Sequence, residues 1–171
     1  AIPYHTDTAS LTLLSLNKHF NQVLPLLGEV IKTPSFPEQE LQAFIQRSVQ
    51  HLQVDLSKND VVAYRQITEQ FFGPEHPYGY NSTAETYNQI TRDDLLQHHR
   101  SLFTKDNCVI IISGKVTPDV LEQLNEQLGH GIPAGIIPEP KLILQEAPPQ
   151  QVLISKPDSL QSAIRIGFRT F

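Results

Sequence analysis

Methionine and tryptophan are missing from the 171 residues, and cysteine occurs once. A lone cysteine excludes an intrachain disulfide and any thiolate metal cluster built from this chain alone. No apolar run approaches the roughly 18 residues that a membrane-spanning helix needs. Positive charge is also scarce, since 13 Lys and Arg stand against 18 Asp and Glu for a net charge of -5. Without a basic stripe to meet phosphates, nucleic acid is not an expected partner, and neither is a membrane. The seven histidines form no H-x-x-x-H, H-E-x-x-H or H-x-x-E-H spacing, so no zinc-peptidase motif is present. No signal peptide is visible within the sequence.

What the chain does have is an apolar content of 39%, enough for a packed core. Helical periodicity begins at Asn17 and places Phe20, Val23, Leu24, Leu27, Val30 and Ile31 on one stripe, with Pro25 kinking it or marking its start. After a break at Thr33-Pro34-Ser35-Phe36-Pro37, a second helix carries Leu41, Phe44, Ile45, Val49, Leu52 and Val54 to about Lys58. Glu38 and Glu40 lie in its first turn, where the helix dipole favours acids. Asn59 and Asp60 interrupt, and Val61 to Phe72 reads as a third amphipathic helix.

A turn-rich block follows at Phe71-Phe72-Gly73-Pro74-Glu75-His76-Pro77-Tyr78-Gly79-Tyr80, with Pro77 fixing φ and Gly79 offering a positive φ. Thr91 then caps a helix that runs to about Phe103, with Asp94 at the capping-box position. Asn107 to Gly114 reads as a buried core strand, and its Val-Ile-Ile-Ile company makes Cys108 a buried hydrophobe. Thr117 caps another helix, with Pro118 at its first position and Gly129 and Gly131 as stops. From Ile132 to Gln150, five prolines mark a linker in which Leu142-Ile143-Leu144 is suited to local pairing. Gln151 to Ser155 and Ser162 to Phe168 read as two strands joined by Lys156-Pro157-Asp158-Ser159. A strand ending the chain unpaired suggests a fragment of a longer protein.

Candidate chemistry is sparse. His51 and Asp55 share a helical face but lack a third ligand. His98 and His99 are adjacent, so they point about 100° apart on a helix. His76 reads as part of a rigid connector before it reads as a base or ligand. Ser113-Gly114-Lys115 lacks the upstream glycine of a phosphate loop. No catalytic or metal-binding residue is therefore assigned.

The ordered series Phe36-Pro37-Glu38-Gln39-Glu40-Leu41, Ala63 to Phe72, His76-Pro77-Tyr78-Gly79, Ile90 to Leu95, Asn107 to Gly114 and Gln161 to Gly167 resembles the pitrilysin/insulinase family of zinc metallopeptidases, which includes the mitochondrial processing peptidase subunits. The resemblance implies an α+β fold in which helices face an antiparallel sheet. Residues 1–131 would be the later part of one domain, 132–150 a linker, and 151–171 the first strands of a second, similar domain. In that family a zinc-bound water, activated by the Glu of H-x-x-E-H, hydrolyses the peptide bond, and a Glu on a later helix completes the ligand set. On the helix that begins at Phe36-Pro37-Glu38, Gln50 or His51 stands where that Glu would be expected. No Glu occurs between Glu40 and Glu69.

The resemblance thus implies a subunit without its own zinc site, with no cofactor in this segment, that helps bind peptide substrate beside a catalytically active paralogue or as a homodimer. The alternative is an active zinc endopeptidase whose H-x-x-E-H lies upstream of Ala1. A third reading is a structural assembly subunit derived from the same fold.

Overall fold

The computed structural model describes residues 7–137, 139, 148–157 and 159–168. Six α-helices occur among them: α1 Phe20–Lys32, α2 Glu38–Leu56, α3 Asn59–Phe72, α4 Ala84–Asn88, α5 Arg92–Leu102 and α6 Pro118–Leu124. Short 3-10 turns stand at Asn17–His19 and Lys105–Asn107, and a π turn at Asn125–Gly129 extends α6. Contacts divide the chain into two compact units, one of Ala1–Leu41 with Thr91–Glu139 and the other of Gln42–Ile90 with Pro140–Phe171.

The first unit is organised on α1. Its apolar stripe buries Leu24, which is 1% exposed, against Leu128 and Ile132, and Phe20, Leu27 and Ile31 pack around them. Pro25 lies inside the helix without ending it. Val30, expected on the same stripe, is exposed. α5 is held at its start by a full capping box, in which Thr91 Oγ1 accepts from Asp94 N–H and the Asp94 carboxylate accepts from Thr91 N–H at 2.8 Å. Thr117 has the extended backbone of an N-cap, but its hydroxyl makes no capping bond to α6.

In the second unit, α2 buries Ile45 and turns Val49 and Leu52 partly inward, whereas Phe44 and Val54 fall off that face and are exposed. α3 begins at Asn59, so Asn59 and Asp60 open that helix where the sequence pattern placed an interruption. Lys156 closes the α2 terminus by donating to the open carbonyls of Leu56 and Ser57. Asn59 reaches Ser159 Oγ and the Gln161 carbonyl.

The expectation of an α+β fold, an antiparallel sheet faced by helices with the first strands of a second domain, is overturned. Regular structure among the described residues is helical, and no strand occurs. Residues 108–113, 151–155 and 162–168 carry the β-type composition but no ladder. Val109 and Ile111 are 86% and 90% exposed, and Cys108 is exposed rather than buried. The physical reason is that side-chain alternation sets only the two faces of a strand. The hydrogen bonds must come from a second strand, and none of these three segments supplies one to another.

The alternation itself survives at 162–168. Arg165 stands 5.9 Å over the Tyr64 ring, and a Cβ at Gly167 would lie 3.1 Å from the Phe71 ring. Ile164, Ile166 and Phe168, the intervening residues, face solvent. The pairing expected at Leu142-Ile143-Leu144, part of the linker and Asp158 lie outside the described residues.

Candidate functional site

The two places where the sequence offers chemistry are the middle of α2 and the turn after α3. On α2, Gln50 and His51 are both exposed. Asp55, one turn beyond His51, is engaged by Lys58 Nζ at 2.7 Å. That hydrogen bond, with the ammonium charge behind it, holds the Asp55 carboxyl below its ordinary range and raises Lys58. His51 adds only a small electrostatic contribution to Asp55. One imidazole and one committed carboxylate do not make a zinc site, which needs at least three protein ligands. No group of three His, Cys, Asp or Glu side chains converges among the described residues. Among the described residues these donors do not by themselves complete the ligand set of a zinc ion.

The turn after α3 is built for order. α3 stops at Gly73, whose φ of 83° releases the chain from the helix while its N–H still donates to the Glu69 carbonyl. His76 is only 4% exposed, and its carbonyl accepts both the Gly79 and Tyr80 N–H groups at 2.8 Å. Its Nδ1 accepts the Tyr78 N–H at 3.1 Å, which puts the ring proton on Nε2. The ring stacks on Phe72 with centroids 5.1 Å apart, and Tyr78 closes on both. An imidazole so placed supports the turn. Gly79 does not adopt the positive φ expected of it; Gly73 and Gly114 do. Gly79 is needed because a Cβ there would overlap the Gly73 carbonyl oxygen.

Beyond the block, α3 also fixes the loop that leads to α4. Arg65 Nη2 donates to the Ser82 carbonyl at 2.6 Å. Asn81 donates to the Arg65 carbonyl at 3.0 Å and to Glu69 Oε2 at 2.8 Å. Thr83 and Thr86 then form a capping box on α4, a helix the sequence pattern did not reveal because it spans only five residues.

The adjacent histidines of α5 separate as helical geometry requires. His98 is exposed, whereas His99 is half-buried and donates from Nε2 to the Ile31 carbonyl at 2.7 Å. Its ring stacks on Phe103 with a centroid distance of 4.8 Å. Gly114, in the Ser113-Gly114-Lys115 turn, has a φ of 120° in open surroundings. Sequence reading missed Arg92 and Arg65, whose partners are backbone carbonyls remote in sequence and so leave no local pattern.

Residues 89–171 match the family model of the peptidase M16 inactive domain. Over those residues the chain is similar to a domain of the M16 peptidases. The Phe36-Pro37-Glu38 and His76-Pro77-Tyr78-Gly79 segments precede it. A comparison with curated proteins found no match to the chain. Among the described residues no helix is long and apolar enough to cross a membrane.

Proposed function

We propose that this chain is part of an M16-family, peptidase-like subunit that lacks its own zinc site and helps bind peptide substrate beside a catalytically active partner. The observation that carries the reading is the match of residues 89–171 to the inactive domain of that family. It is supported by α2, where Gln50 and His51 occupy the region expected to supply a carboxylate and Asp55 is paired with Lys58. We retain with it the division into a domain ending near residue 131, a proline-rich linker over 132–150, and a following domain from 151.

The role of such a subunit is to enclose and orient an extended peptide while the partner's metal performs the hydrolysis. No bond-breaking step is assigned to residues of this chain. The test is zinc content and peptide hydrolysis by the protein containing this chain, alone and mixed with a family member that carries an intact H-x-x-E-H. Neither zinc nor hydrolysis alone, with hydrolysis by the partner enhanced on mixing, is the expected result. One tightly held zinc with hydrolysis by the protein alone would overturn the reading, and so would a partner whose rate is unaffected.

A further inference from the structure

The connector between α1 and α2 contains the one non-glycine residue with a positive φ among those described, Phe36 at 41°. A side chain with a Cβ is disfavoured there, and the residue before a proline is additionally pushed toward extended backbone. Phe36 precedes Pro37, so both restrictions act on it together. Its left-handed backbone must therefore be held from outside.

The holding group is Arg92, at the first position of α5. Its Nε donates to the Phe36 carbonyl and its Nη2 to the Ser35 carbonyl, each at 3.0 Å. A planar guanidinium is the side chain suited to grip two successive carbonyls, because its donors point in a fixed fork. Two helical turns further on, His99 takes the Ile31 carbonyl and meets the Phe36 ring edge-on with centroids 6.1 Å apart. α5 thus grips the connector at both of its ends.

We infer that Ser35-Phe36 is a strained hinge kept cocked by the Arg92 fork, and that loss of the fork lets Phe36 return to extended backbone and frays the first turn of α2. The inference rests on this geometry alone and is independent of the proposed function. Its reporter is the Leu41 amide, which donates to the Pro37 carbonyl at 3.0 Å and closes that first turn.

Hydrogen exchange of the whole chain tests it. Arg92→Ala should speed exchange at Leu41 about tenfold or more. The Phe103 amide, bonded to the His99 carbonyl near the other end of α5, should not change. Arg92→Lys, which keeps the charge but loses the fork, should behave like Arg92→Ala and serves if the latter folds poorly. Strain is then separated from simple hydrogen bonding by background. In Phe36→Ala the Cβ remains, so the effect of Arg92→Ala at Leu41 should persist. In Phe36→Gly the left-handed backbone is unstrained, so the effect should shrink to a few-fold or less. Equal acceleration in the Phe36→Ala and Phe36→Gly backgrounds, or no acceleration in any background, would overturn the hinge.

Discussion

A methyl group added at Gly79 would drive into the Gly73 carbonyl oxygen, which has backbone on both sides and no side-chain freedom with which to retreat. Gly79→Ala should therefore cost about 1–3 kcal/mol, the usual range for forced overpacking. A urea midpoint unchanged from the parent would show that the turn has room. Asp94 makes a different kind of single-residue prediction. Hydrogen bonds from the Thr91 hydroxyl and backbone N–H hold its carboxyl below the ordinary value of about 3.9. A lowered folded-state pKa means that its stabilisation is complete above the unfolded value and is lost as pH falls through the folded one. Asp94→Ala should thus be less stable than the parent at pH 7, and the gap should close in acid below about pH 4. A gap that widens on acidification would contradict the sign.

At the scale of the element, the two threonine caps look alike in sequence and differ in fact. Thr91 accepts the Asp94 N–H within a reciprocal box, whereas the Thr117 hydroxyl makes no bond to its helix. Thr91→Ala should cost about 1 kcal/mol, in line with other N-caps. Thr117→Ala should stay within about 0.5 kcal/mol, as a surface substitution does. Denaturant titration of the two variants side by side decides the matter, and equal costs would show that cap geometry rather than the hydroxyl matters here. Helix existence was legible because an amphipathic stripe is a local property of the chain. The stripe of α1 did pack through Phe20, Leu24, Leu27 and Ile31. The third helix was also found, though its start was placed two residues late, since Asn and Asp are as much at home in a first turn as in a break.

At the scale of the whole molecule, the notable feature is apolar side chains left in water on three segments of β-type composition. Ile166 is 93% exposed, with Ile164 and Phe168 beside it in alternation. Single exposed apolar residues are unremarkable, but an alternating row of them on an unpaired segment promotes association. Ile166→Lys should accordingly lower light scattering on concentration while leaving the unfolding free energy within about 0.5 kcal/mol. A larger loss of stability would mean that this face is covered in solution. The expectation of a sheet failed at this scale because it needed information that no single segment holds.

The sequence by itself determined what depends on neighbours along the chain: which of the longer stretches are helical, where Thr91 caps, and that no Glu occurs between Glu40 and Glu69. It also carried an order of segments that resembles the M16 peptidases, and the later ones, from Ile90 on, fall within the match over residues 89–171. Tertiary structure alone decided what depends on groups far apart in sequence. It set Arg92 on the carbonyls of Ser35 and Phe36, brought Arg65 to the Ser82 carbonyl, and left 108–113 without a ladder. The division follows from range. Helix bonds close within four residues and are written locally, whereas a strand's partner or a carbonyl's donor is chosen only when distant parts of the chain meet.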